Sequence, residues 1–210
     1  MRKGVFITFE GNDGAGKTTV CLQVLKRLKQ EGHEVIYTRE PGGSRIAETI
    51  RNILLDVDNK ELTARTEALL YAASRSQHLQ EIVIPALQAG KIVLCDRYVD
   101  SSLAYQGVAR DLGIEDVWKI NEFAIDGYMP QKTLFFAVSI ETGQKRMNIR
   151  GDKNRLDLEQ DSFHQKVRRG YEALIKMYPE RIQVIDAEPA LDVVVQAAYD
   201  VVKKVIEEYE

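Results

Sequence analysis

Short apolar runs alternate along this chain with longer segments of helical period. The runs are Val5 to Phe9, Val35 to Thr38, Ile92 to Cys95, Thr133 to Val138 and Ile182 to Ile185. Each is rich in β-branched or aromatic residues and almost wholly apolar, the pattern of a strand covered on both faces. The intervening segments, Lys17 to Gln30, Ile46 to Leu55, Ala64 to Ala89, Ile114 to Ile125, Ile140 to Arg150 and Asp161 to Met177, read as helices, and the chain ends with another, Ala190 to Glu208. Pro85 is expected to bend or interrupt the longest of them. Strands joined by helical crossovers predict a three-layer α/β fold: a five-stranded, doubly wound parallel sheet with helices on both faces. No internal repeat and no Ser/Gly/Pro-rich linker divides the chain, so residues 1–210 read as one domain. One irregular, charge-dense stretch interrupts the helical pattern at 150–159.

Composition narrows the class. With 44% hydrophobic and 29% charged residues over 210 positions, the chain is neither disordered nor fibrous nor a small disulfide scaffold. It is long enough to bury a sizeable core. The net charge of −3 provides no global field for nucleic acid, so any anion site must be local. Cys21 and Cys95 form no CxxC pair and read as reduced, buried thiols. No apolar run approaches the length of a membrane span, and the first one is cut short by Glu10, which leaves no signal-peptide core. These features predict a cytoplasmic protein without membrane or nucleic-acid partners.

The first predicted strand runs into Gly11-Asn12-Asp13-Gly14-Ala15-Gly16-Lys17-Thr18, a GxxxxGK[ST] loop followed by a helix. The spacing has a physical reason. Glycines allow a loop whose backbone N–H groups converge on an anion, Lys17 brings a cation to the β/γ-phosphates, Thr18 offers a hydroxyl to Mg²⁺, and the helix N-terminus adds its positive end. A nucleoside triphosphate site, with Thr19 closing it, is therefore predicted. A GTPase switch is disfavoured, because no NKxD and no DxxG follow the loop. A carboxylate ending an apolar strand, Asp96, suits both a motor-type ATPase and a kinase. Arg97 directly after it, at the carboxyl end of a strand, is placed to grip a second phosphate bidentately.

The residues are most specific in four stretches: Phe9-Glu-Gly-Asn-Asp-Gly-Ala-Gly-Lys-Thr-Thr19, Thr38-Arg-Glu-Pro-Gly-Gly43, Asp96-Arg-Tyr-Val-Asp-Ser-Ser-Leu-Ala-Tyr-Gln-Gly107 and Phe163-His-Gln-Lys-Val-Arg-Arg-Gly-Tyr171. In these the chain resembles the thymidylate kinase family, P-loop kinases that phosphorylate dTMP. The resemblance implies transfer of the γ-phosphate of ATP to dTMP with Mg²⁺, within dTTP synthesis, by an enzyme that is commonly a homodimer. The alternatives are a P-loop kinase for another nucleotide or nucleoside, and a P-loop ATPase switch.

The resemblance also implies roles. Tyr71 and Arg75, four apart on one helix face, would stack on thymine and bind its O4. Asp13 would accept the sugar 3′-OH. Ser102 and Gln106 would line the base edge, and Tyr105 would occupy the space of a ribose 2′-OH. Arg51 and Arg97 would hold the acceptor phosphate, beside a cis peptide before Pro41. Asp96, with Thr18, would face Mg²⁺ through water or partner an arginine. The P-loop here contains no arginine, so the 150–159 stretch is expected to act as a short lid bringing Arg150 and Arg155 to the phosphates, as in bacterial members. The family's lid usually reads Asp-Arg-x-Glu, whereas here Asn154-Arg155-Leu156-Asp157 stands. Arg146 is expected to flank the adenine. His33, His78 and His164 lack metal-cluster spacing and are expected to be solvated or partly packed.

Overall fold

The computed structural model describes residues 4–150 and 154–209, with the side chains of all but 148–150 among them. Five parallel strands stand in the order β2-β3-β1-β4-β5. They are β1 (Val5–Gly11), β2 (Val35–Arg39), β3 (Ile92–Asp96), β4 (Lys132–Ala137) and β5 (Ile182–Asp186). The alternation of side chains across a strand divides the core into two layers. Val5, Ile7 and Phe9 of β1 join Leu94 of β3 and Phe136 of β4 on one face. There they pack on α1 (Lys17–Gln30) and α9 (Leu191–Tyr209) through Val20, Val24, Leu28, Ala198 and Val202. Phe6 of β1, Val93 and Cys95 of β3 and Phe135 of β4 face the other way, onto a layer that includes Tyr98, Leu103, Val167 and Tyr171. Edge strand β5 departs from the predicted two-faced cover, since its Gln183 and Val184 are exposed.

Connections from β1 run to one side of the sheet and those from β3 to the other. The crevice at the carboxyl ends of β1 and β3 is therefore the place where such a sheet binds ligands. In register, Phe9 of β1 and Arg39 of β2 both pair with Asp96 of β3. The loops after these three strands accordingly open side by side.

The remaining helices are α2 (Arg45–Leu55), α3 (Ala64–His78), α4 (Ile84–Gln88), α5 (Val99–Ser102), α6 (Ile114–Ile125), α7 (Ile140–Arg150) and α8 (Asp161–Met177). Between α3 and α4 the chain takes a π-helical turn over Leu79–Val83. Pro85 explains it: the ring has no N–H and would strike the carbonyl four residues earlier, and a wider turn moves that carbonyl away. A second π-helical stretch, Leu103–Ala109, continues α5. It is absent from the predicted elements, and it carries Tyr105 and Gln106. Helix α8 lies directly on it, because Gly170 has no side chain: a Cβ there would fall 2.9 Å from the Cα of Ala104.

Candidate active site

The crevice holds a cavity of about 580 Å³, bounded by the loop after β1, by the end of β2 and the Glu40–Pro41 turn, by Asp96 at the end of β3 with Arg97, Ser101, Tyr105 and Gln106 beyond it, and by Arg51, Tyr71 and Arg75 from α2 and α3. That volume is in the usual range for small-molecule sites.

At one end the P-loop bends as its glycines require. Gly14 has φ +78°, and a Cβ on it would overlap the carbonyl of Gly143 at 2.1 Å. Gly16, also left-handed, stands immediately before α1. Lys17 folds back over the loop, donating to the carbonyls of Gly11 at 3.0 Å and Asn12 at 2.8 Å. Burial first, and then the charge of Arg97, lower the Lys17 pKa to about 8. The Thr18 hydroxyl donates to Asp96. Thr18, Thr19 and Asp96 all line the cavity, as does Arg146, whose guanidinium donates twice to the Ala187 carbonyl.

In the middle stands Arg97. Its backbone adopts φ +70°, the left-handed region that a bulky residue occupies only when its surroundings enforce it. Glu10 supplies that enforcement. One carboxylate oxygen accepts from the backbone N–H of Tyr98 at 2.7 Å and Ser101 at 3.2 Å; the other accepts from the hydroxyls of Ser101 and Tyr171. Burial, then the neighbouring charge of Asp100, raises the Glu10 pKa. The Arg97 guanidinium donates to Asp13 at 2.6 Å and to the Tyr105 hydroxyl at 3.3 Å, while Tyr105 donates to the other Asp13 oxygen at 2.8 Å. Burial works against the Asp13 charge, but Arg97 and Lys17 outweigh it and hold the carboxyl far below its ordinary range. Arg51 donates to the Pro41 carbonyl at 2.7 Å, and the Glu40–Pro41 peptide is cis.

At the far end Arg75 is only 1% exposed, although it lines the cavity. Its Nε donates to Glu40 at 2.7 Å, Nη1 to Ser102 and Asn121, and Nη2 to the Tyr98 carbonyl at 3.1 Å. A guanidinium has five N–H donors, so one on Nη2 stays uncommitted among the described residues. Glu40 is itself held by His78 Nδ1 at 2.9 Å, and His78 Nε2 meets the Thr38 hydroxyl. His78 is thus fully buried rather than solvated, in a chain from Thr38 through Glu40 to Arg75.

Two expectations need correction. Ser102 is not among the residues that line the cavity; its hydroxyl sits against Arg75, and Ser101, one residue earlier, lines the cavity instead. Arg155 does not face the phosphate end. Its Nη2 donates to Glu67 at 2.6 Å, and its Nε to the Leu54 carbonyl at 3.0 Å. The cause is the carboxylate of Glu67, wholly buried on α3 and in need of cationic partners. Of the lid stretch, Asn154 and Leu156 reach the cavity. The side chain of Arg150 and all of Lys153 lie outside the described residues. Sequence reasoning missed Glu10, Glu40, Glu67, His78, Asn121 and Tyr171. Only Glu10 and Glu40 carried a signal, as carboxylates flanking the P-loop and the Pro41 turn.

A P-loop on a five-stranded parallel sheet, facing a cavity lined by Arg51, Arg75, Arg97 and Arg146, defines a phosphotransferase of the P-loop kinase class. The model of the thymidylate kinase family matches residues 9–198. A thymidylate kinase of Geobacillus thermodenitrificans is 58% identical over 90% of this chain and 85% of its own. One of Bacillus pumilus is 55% identical over 98% and 96%. The crystal structure of the Ehrlichia chaffeensis thymidylate kinase superposes with a TM-score of 0.77 at 32% identity, covering 96% of this chain and 99% of that one. The chain belongs to the thymidylate kinase family. It is an enzyme, a kinase of nucleotide biosynthesis.

Proposed function

We propose that the enzyme transfers the γ-phosphoryl group of ATP to dTMP, giving ADP and dTDP for dTTP synthesis. The observation that carries this reading is the far end of the cavity: Arg75, buried and fixed by four partners, keeps one N–H for a ligand carbonyl beside the ring of Tyr71 and the amide of Gln106. A partner-controlled ATPase has no need of such a second polar recognition end.

Phosphoryl transfer is mainly positioning and neutralisation of charge. Lys17 and the loop amides receive the β- and γ-phosphates. Arg97, already oriented by Glu10, Asp13 and Tyr105, exchanges contacts within the cavity for the acceptor phosphate, with Arg51 beside it. The acceptor phosphate is anionic at neutral pH and needs no general base. Asp13 is left to receive the sugar 3′-OH, and Tyr105 crowds the 2′ position. Arg146 borders the donor side. Mg²⁺ fits the hydroxyl of Thr18 and the carboxylate of Asp96, adjacent hard oxygen donors at the cavity wall. When bound, it neutralises charge on the β- and γ-phosphate oxygens.

We also infer a homodimer through α3 and α6, which pack on one another and leave Leu69 55% and Phe123 90% exposed. Phe123→Asp is expected to shift the species in sedimentation to the monomer; a wild-type monomer at micromolar concentration contradicts the inference. Among the described residues no helix is long and apolar enough to cross a membrane. The reaction itself is tested by coupled ADP release. ADP should form from Mg-ATP only when dTMP is present, and hydrolysis that ignores dTMP would support the ATPase instead.

A further inference from the structure

One buried carboxylate that the reaction does not use sits behind the acceptor end of the cavity. Glu67 of α3 is wholly buried. Its Oε1 accepts from Gln106 Nε2 at 2.8 Å and from Arg110 Nε at 3.2 Å. Its Oε2 accepts from Arg110 Nη2 at 3.1 Å and Arg155 Nη2 at 2.6 Å. Arg110 is held in turn by Glu159 at 2.6 Å and lies over the ring of Phe163. Two cations and two carboxylates thus make a balanced cluster, and the oxygen Oε2 is pinned by two guanidiniums.

The consequence falls on Gln106, which lines the cavity. An ionised carboxylate only accepts hydrogen bonds, so the amide can meet Glu67 only with its NH₂. Its carbonyl oxygen is then the end left over, and among the described residues no donor bonds it. We propose that Glu67 is a specificity-determining positioning residue: it locks the Gln106 amide so that an acceptor, not a donor, is presented to the base. The proposal rests on the acceptor reading above. A pyrimidine with a protonated N3, thymine or uracil, matches an acceptor. Cytosine, whose N3 is itself an acceptor, is rejected by two facing lone pairs.

The substitution Glu67→Gln tests this with an isosteric amide. Oε2 takes donors from both guanidiniums, and the shortest of these contacts is from Arg155, whereas Oε1 takes one longer contact from Arg110 Nε; the new carbonyl therefore keeps the Oε2 place and the new NH₂ turns toward Gln106. Gln106 must then rotate and present NH₂ to the base. The kcat/KM ratio of dTMP over dCMP should fall by at least about ten-fold, the scale of one hydrogen bond gained or lost at a buried site. General damage to packing lowers both rates and leaves their ratio alone. In a Gln106→Leu background, Glu67→Gln should change the ratio by less than about two-fold, because the residue through which it acts is gone. Should Glu67→Gln fail to fold, the wild-type enzyme answers instead. The Gln106 side-chain NH₂ resonance, identified by its loss in Gln106→Leu, should exchange with water far more slowly than free glutamine while the cavity is empty. Exchange at the free rate overturns the proposal. A wild-type enzyme without preference for dTMP overturns the acceptor reading and this proposal together, whereas a wild-type preference for dTMP over dCMP that survives Glu67→Gln overturns this proposal alone.

Discussion

Lys17 shows how burial and function oppose one another at a single residue. Away from water and beside Arg97, its amine loses its proton near pH 8 instead of the ordinary 10.5. The unfolded chain keeps that proton longer, so between about pH 8 and 10.5 this residue stabilises the empty fold as pH rises. Nucleotide binding runs the other way, since only the charged amine neutralises phosphate. ATP should therefore bind with uptake of a proton at pH 8, seen as a buffer-dependent binding enthalpy, and kcat/KM for ATP should decline above about pH 8. A binding enthalpy independent of buffer at pH 8 would contradict this. Arg155 makes the complementary case. Its fork is spent on Glu67 and the Leu54 carbonyl, so Arg155→Ala should act on stability before chemistry. A loss of about 2 kcal/mol in urea unfolding is expected, the scale of a hydrogen bond to a charged group, with Arg110 still covering Glu67. A ten-fold fall in kcat at unchanged stability would return Arg155 to the phosphates. The chemistry of Gly11 to Thr18 could be read from the sequence, because eight consecutive residues shape their own backbone. The fates of Arg75 and Arg155 could not. Their partners Glu40, Asn121 and Glu67 lie 35, 46 and 88 residues away, on elements that only the finished fold brings together.

At the scale of elements, apolar pattern found all five strands and located α1 at its observed bounds, since strand and helix periods are local properties. It did not find the π-helical stretch Leu103–Ala109, because a wide turn has no apolar period of its own to read from the sequence. That stretch lines the cavity through Tyr105 and Gln106, and Gly170 sets its distance from α8. Gly170→Ala adds a methyl 2.9 Å from the Ala104 backbone and 3.1 Å from its Cβ. The helix-propensity gain of up to about 1 kcal/mol is smaller than the overpacking cost of about 1–3 kcal/mol. Net destabilisation is expected, together with a rise in KM for dTMP that exceeds any rise for ATP, because the displaced wall carries Tyr105 and Gln106. Thermal melting and initial rates on the one variant check both; a variant as stable as the parent, with both KM values unmoved, would mean the contact relaxes freely.

At the scale of the molecule, the sheet order places two compartments on one crevice: a phosphate cradle after β1, and a walled pocket between the loops after β2 and β3 and helices α2 and α3. The cradle is common to many nucleotide-binding proteins, so the character of the enzyme resides in the pocket. On the proposed function, Arg75, Gln106, Tyr71 and Tyr105 admit a pyrimidine protonated at N3 on a deoxyribose while Arg97 and Arg51 demand a phosphate. The most direct measurement is kcat/KM for dTMP, dCMP, UMP, AMP and unphosphorylated thymidine with saturating Mg-ATP, product identity being confirmed by mass. dTMP should exceed each of the other four by at least about ten-fold, the discrimination expected where a built polar site loses a partner group. A rate with AMP or thymidine equal to that with dTMP would contradict the account, the first by denying the base pocket and the second by denying the grip of Arg97 on phosphate.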